Sequence, residues 1–246
     1  MQLMVSMSPN VFKRKRIFIL KHLGLFILLL GGLLSPILAW SQEQDFGSWL
    51  NASVEYEAWK NVDLSLTPEL RFDENLSRLR NVQADFGAQY KINKTYNTGA
   101  VLRVGQVQRD SGWQGRQRIQ LFIGGKWKIV KGLDFSYKTR VQFAFDQQSR
   151  TRDADMNSNI RNKFGISYDG IKKTKLSASY EFFHGIQRGE FLEWQDWRLA
   201  FDVERKLNKR NFVSLGWIVQ TELTTPRVRR DNILVLSYKF VVPSKF

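Results

Sequence analysis

The sequence predicts an all-β chain: a single antiparallel up-and-down transmembrane barrel of about 12 strands, within a range of 10 to 12. Three observations predict it. Side chains alternate apolar and polar through nearly everything after residue 41, the alternating ribbons are long, and the connections between them alternate between short and longer. Successive side chains of a strand point to opposite faces, so a period of two is the signature of strand rather than helix.

Residues 1–41 come first and read as a secretory signal peptide. Lys13, Arg14, Lys15, Arg16 and Lys21 precede the apolar run LGLFILLLGGLLSPIL, residues 23–38, and Ala39-Trp40-Ser41 puts small residues where a signal peptidase reads them. Gly31, Gly32 and Pro36 interrupt the run and no basic stop-transfer flank follows, which argues against an anchor. Cleavage is expected near Ser41, leaving residues 42–246 as the barrel domain. That step removes five basic residues and no acidic ones, so 33 basic residues face 23 acidic ones, a net +10. Cysteine is absent, which excludes disulfides, thiolate metal sites and a cysteine nucleophile.

The ribbons follow in order. Leu50, Ala52, Val54, Tyr56 and Ala58 alternate with Asn51, Ser53, Glu55 and Glu57. Val62, Leu64, Leu66, Pro68, Leu70 and Phe72 alternate with Asp63, Ser65, Thr67, Glu69, Arg71 and Asp73. Further ribbons cover 81–92, 96–106, 117–129, 133–146, 157–168, 174–184, 194–204, 212–222 and 232–242. The sixth, LDFSYKTRVQFAFD, is the clearest: Phe135, Tyr137, Val141, Phe143 and Phe145 share one face, Lys138, Arg140 and Gln142 the other. Eleven ribbons are counted. Single-chain bacterial barrels have even numbers of strands, so either a further short strand lies around 42–47 or one ribbon is misdrawn, and twelve strands are favoured, with ten next.

Short connections at 59–61, 93–95, 130–132, 169–173 and 205–211 carry turn residues such as Lys131-Gly132 and Asp169-Gly170. Longer ones are expected at 74–80, 107–116, 147–156, 185–193 and 223–231. Soluble strands centre on ~5 to 6 residues, whereas these ribbons are about twice as long. A ten-residue strand rising ~3.3 Å per residue and tilted ~45° spans about 23 Å, close to the ~25 Å apolar band of an outer-membrane barrel. The competing architecture is a secreted soluble β-sandwich acting as a binding module, with the aromatic faces packed between two sheets. Aromatics near ribbon ends favour the membrane: Tyr56, Trp59, Tyr90, Tyr96, Trp127 and Tyr168 toward the short turns, and Phe72, Phe143, Phe145, Phe182 and Trp197 toward the other end.

The polar faces hold thirteen bases and thirteen acids. A lumen charge lattice is therefore expected, built from Glu69, Asp196, Asp202 and Glu204 with Arg71, Arg103, Arg118, Lys138, Arg140, Arg161, Lys163 and Arg198. Most of these charges are expected to pair, because unpaired buried charge is expensive, and pairing favours a narrow or filled lumen. The net positive charge sits largely in the short turns, at Lys60, Lys94, Lys131, Lys172, Lys173 and Arg205 among others.

The alternating ribbons, FGSWL at the mature start, and the strand cores ELRFD, TRVQF and NIRNK resemble a Gram-negative family known as domain of unknown function 2490, described as outer-membrane β-barrels. The resemblance runs from Phe46 to Phe240 and implies an outer-membrane location, with no activity to carry over. Where that pattern leads one to expect a carboxylate in the sixth strand, this chain has Gln142. Leu234, Leu236, Tyr238 and Phe240 alternate in a last strand, and Phe246 supplies the terminal aromatic that barrel assembly machinery reads, although Pro243 should end the strand before it.

Chemistry is sparse. A barrel lipid hydrolase needs a histidine beside a serine nucleophile, and only His184 remains after cleavage, at the end of an apolar ribbon. Asp153 and Asp155 are the best carboxylate pair, but Arg150 and Arg152 adjoin them. No cofactor, metal or catalytic residue is assigned. Arg227, Arg229 and Arg230 form a cationic cluster suited to lipid phosphates. Outer-membrane lipids and the assembly machinery are the expected partners, and export removes the chain from nucleic acid. The expected role is non-enzymatic, either structural or as a narrow porin-like conduit for small solutes.

Overall fold

The computed structural model describes residues 43–146, 158–187, 190–223 and 229–243. The predicted signal segment, Asp153, Asp155, Arg227 and Phe246 lie outside the described residues. Eleven strands run β1(Glu43–Trp59), β2(Val62–Asp73), β3(Arg78–Lys91), β4(Tyr96–Arg109), β5(Gly112–Val130), β6(Leu133–Asp146), β7(Asn159–Ile171), β8(Thr174–Gln187), β9(Glu190–Lys206), β10(Asn211–Glu222) and β11(Arg229–Val242). They form one closed barrel in which every strand pairs with its sequence neighbours and β1 pairs with β11. Among the described residues there is no second sheet for a sandwich.

The predicted twelfth strand is instead the beginning of β1, which starts at Glu43 and runs 17 residues. An odd number closes because β1 and β11 pair in parallel, with fourteen consecutive partners from Glu43↔Arg229 to Tyr56↔Val242. A meander of antiparallel hairpins brings the first and last of an odd number of strands into the same direction, so parallel pairing is the geometric consequence.

Strands are also longer than the ribbons suggest, from 12 residues in β2 to 19 in β5. Their extension shortens several connections at the end away from the short turns. The ladder between β4 and β5 continues to Arg109↔Gly112, leaving only a two-residue turn where 107–116 was expected to loop. Glu74, Asn75 and Leu76 close the β2–β3 hairpin with positive φ. The wider gaps are those between β6 and β7 and between β10 and β11. At the other end, Asn61 at φ 70° and Gly132 at φ 83° make the tight turns that the sequence marks.

Burial is inverted relative to a soluble protein. Among the described residues, ten polar or charged residues are buried against five apolar ones, and no large side chain is fully buried. Leu121 is 51% exposed, Ile166 51% and Phe86 49%, each midway along a strand on the outer face. Such a surface is unfavourable in water and suited to hydrocarbon. Trp59, Tyr90, Tyr96 and Tyr168 stand exposed near the short-turn rim, with Phe145 exposed toward the other, where aromatic girdles belong.

Candidate solute path through the lumen

The inward face of every strand is set by the two-residue period. Glu69 and Arg71 on β2, Arg103 on β4, Arg118 on β5, Lys138 and Arg140 on β6, Arg161 and Lys163 on β7, and Asp196, Arg198, Asp202 and Glu204 on β9 fall on that face together. A cavity of about 870 Å³ opens within the barrel, lined among the described residues by ten arginines and six carboxylates.

These charges do not simply pair with their nearest neighbours. All six lining carboxylates, Asp45, Glu69, Asp73, Asp196, Glu222 and Asp231, lie on β1, β2 and β9 to β11, whereas Arg103, Arg109, Arg116, Arg118, Arg140 and Arg161 lie on β4 to β7. The lumen therefore has a basic wall and a more acidic wall. Like charges sit directly opposite one another within each: Arg103↔Arg118, Lys138↔Lys163 and Arg140↔Arg161 on the first, Asp45↔Asp231 and Glu57↔Asp63 on the second. Directly opposed like charges destabilise a ladder, so each pair needs compensation.

Most of that compensation comes from the edges. Asp85 on β3 holds Arg103 through Nε at 2.6 Å and Nη2 at 2.7 Å, a bidentate fork. Glu181 on β8 accepts from Arg161 Nε at 3.1 Å and Nη2 at 3.0 Å, and lies 3.8 Å from Arg140. Gln142, standing where a carboxylate was expected, accepts from Arg161 Nη1 at 3.3 Å. On the acidic wall, Arg71 meets Glu69 at 2.6 Å, and Gln83 Nε2 donates to the same carboxylate. Lys239 meets Glu204 at 2.9 Å.

Aromatic rings hold other cations. Arg71 lies 3.8 Å and Arg198 5.3 Å from the Trp49 ring centroid, while Arg198 and Arg161 lie 4.8 and 4.5 Å from that of Phe183. Trp49 on β1 thus reaches past β11 and β10 to meet Arg198 on β9, and it lines the cavity there. Lys138 sits 4.1 Å from the Phe122 ring. That ring lies against Gly99, where a Cβ would come within 2.7 Å of it. Such contacts are worth ~0.5 to 2 kcal/mol each.

The alternation rule, which sends rings to lipid, misses Trp49, Phe122 and Phe183. The usable signal was their parity: each falls on the polar positions of its ribbon. The wall sorting was also readable, because the charged residues at inward positions of the ribbons from 96 to 168 are mostly bases.

Arg229 Nη2 meets Asp45 at 3.0 Å and its Nε meets Asp231 at 2.8 Å, so it belongs to the mouth of the lumen. Arg230 is buried beside it, on the alternate face, opposite Gln44 and Thr221. His184 packs edge-on against Phe182 at 5.3 Å on the outer face, and no hydrogen bond joins it to a serine among the described residues.

A closed sheet with a hydrocarbon-facing exterior and an ionic interior defines a transmembrane β-barrel protein of the outer-membrane type. The chain belongs to the family described as protein of unknown function (DUF2490), whose model matches residues 46–231. No curated protein matches its sequence. Among solved structures it is similar to the NanC porin, at 13% identity and a TM-score of 0.45, covering 71% of this chain and 86% of that one. It is similar too to the KdgM porin, at 12% identity and 0.44, covering 78% and 90%. The KdgM porin in complex with disordered oligogalacturonate gives 12% and 0.45, covering 81% and 98%.

Proposed function

We propose that the protein is a narrow conduit for small charged solutes across the outer membrane, non-enzymatic, with a net preference for anions. The observation that carries this reading is the cavity of about 870 Å³ inside the barrel, lined among the described residues by ten arginines against six carboxylates. Eight strands enclose a packed interior and 16 to 18 a wide aqueous channel, so eleven suit a restricted path. Arginine keeps its charge at any physiological pH, and a basic wall raises the local concentration of anions. The outward surface takes membrane lipids as its partners, with the assembly machinery needed during biogenesis.

Planar-bilayer recording tests it. Folded protein should give current steps, and under a potassium chloride gradient the zero-current potential should fall on the chloride side. Silent bilayers with heat-modifiable, correctly folded protein would overturn the conduit and leave a structural role.

A further inference from the structure

We infer that the lumen cavity binds a zwitterionic solute, its oxyanion seated at Arg118 and its cationic end at the Asp196–Glu222 pair. This rests on the conduit reading and names the solute class for it. Neither pole forms an ion pair within 4.0 Å among the described residues, and Glu222 accepts a hydrogen bond from Gln220 Nε2 at 3.3 Å.

Arg118 is the basic pole. Its cross-strand neighbour is another cation, Arg103, whose fork is already filled by Asp85. Glu181, the other edge carboxylate of that wall, is committed to Arg161 and Arg140. Arg118 has no hydrogen bond or ion pair among the described residues, and its Nε is buried without an acceptor. A guanidinium cannot discharge itself by losing a proton, and its planar donors match a carboxylate or phosphate.

Asp196 and Glu222 are the acidic pole. They face each other across β9 and β10. The two other acid pairs of this wall are each bridged by a cation, Asp45 and Asp231 by Arg229, Glu57 and Asp63 by Lys91. Asp196 and Glu222 have no such bridge within 4.0 Å among the described residues, because Arg229, the cross-strand neighbour of Glu222, directs Nη2 to Asp45 and Nε to Asp231. Arg198, two residues from Asp196, attracts it through space but forms no ion pair with it, its Nε donating to Gln220 at 2.7 Å and its guanidinium stacking on Trp49 and Phe183. An ammonium placed there would do what Arg229 and Lys91 do for the other pairs.

Both poles line the same cavity of about 870 Å³, a volume within the ~300 to 1,000 Å³ of small-molecule sites. A plain anion would satisfy Arg118 while facing carboxylates on the opposite wall, and a plain cation would meet the converse. A solute carrying both charges aligns with the field between the walls.

Isothermal titration of the folded full chain in detergent tests this independently of conduction. The probes are 4-aminobutanoate and 6-aminohexanoate, each beside the carboxylate and the alkylammonium of equal length. At least one zwitterion should bind about tenfold more tightly than either matched ion, a difference of ~1.4 kcal/mol. Arg118→Gln should reduce zwitterion binding to the level of the alkylammonium, and Glu222→Gln to that of the carboxylate. Equal binding of carboxylate and zwitterion would overturn the proposal in favour of an anion site. Absence of binding by every probe, or zwitterion binding unchanged in both variants, would also overturn it. The conduit reading fails separately, on absence of current from folded protein.

Discussion

Arg229 Nη2 donates to Asp45 at 3.0 Å across the seam where β11 meets β1, joining residues 184 positions apart. The same Asp45 accepts the backbone N–H groups of Glu74 at 3.0 Å and Asn75 at 2.9 Å, while Arg229 Nε donates to Asp231 at 2.8 Å. One carboxylate and one guanidinium therefore tie together the first strand, the last strand and the β2–β3 turn. Parallel closure makes this possible, since it places the beginnings of β1 and β11 side by side.

Arg229→Gln should consequently loosen the seam. It removes two charge-assisted bonds and leaves Asp45 directly opposite Asp231, a loss of about 2 kcal/mol. The check is the temperature midpoint of heat-modifiable gel migration, which should fall. Asp231→Asn added to the same chain should restore part of the loss by removing the repulsion. No shift in the single variant would show that the backbone ladder alone holds the seam.

The faces of the strands give the next prediction. Leu121 is 51% exposed at the middle of β5, between Ala100 and Val141 on its neighbours, and reads as lipid-facing. Leu121→Arg should cost ~2 to 4 kcal/mol. Ser177 on β8 points the other way and stands opposite Asp202, so Ser177→Arg should stay within ~0.5 kcal/mol of the parent. Urea titration of both variants refolded in lipid separates them, and equal effects would contradict the assignment of inside and outside.

Those faces were legible in the sequence because parity is local. Phe135 and Lys138 declare opposite sides of β6 without reference to any other strand. The closure was not legible, since pairing of Glu43 with Arg229 depends on how many strands intervene, and the even-number expectation pointed to a twelfth. Charge counts also mislead at this level. Equal numbers of acids and bases suggest a lattice of pairs, yet the register sets Arg103 against Arg118 and Arg140 against Arg161. A total leaves out the order of the charges along the chain, and in a barrel of sequential hairpins it is that order which separates them into two walls. The lumen aromatics escaped for a different reason: Trp49 has the parity of the lumen and the composition of the lipid face.

Glu181 is the carboxylate on which the basic wall most depends. It is 6% exposed, engages Arg161 through two bonds and stands 3.8 Å from Arg140. Glu181→Gln leaves two opposed arginines without their shared anion, and removing one member of a buried ionic group costs ~3 to 5 kcal/mol. Thermal unfolding should show that loss, and the bilayer zero-current potential should move further toward chloride. A variant as stable as the parent would mean that water in the lumen screens the pair.

Trp49 offers a test of what limits passage. Its ring is the surface on which Arg71 stacks at 3.8 Å, and it reaches across two strands to Arg198. Trp49→Ala removes both contacts, worth together ~1 to 4 kcal/mol, and clears the ring from the cavity that it lines. The two effects have opposite signs in different measurements. The unfolding midpoint should fall, while single-channel conductance should rise because the guanidinium groups regain freedom and the opening widens. Trp49→Phe, which keeps a smaller ring beside Arg71, should lie between the two in both measurements. If conductance were unchanged in Trp49→Ala while stability fell, the ring would be a support for Arg71 and Arg198 alone, and the narrowest part of the path would lie elsewhere in the barrel.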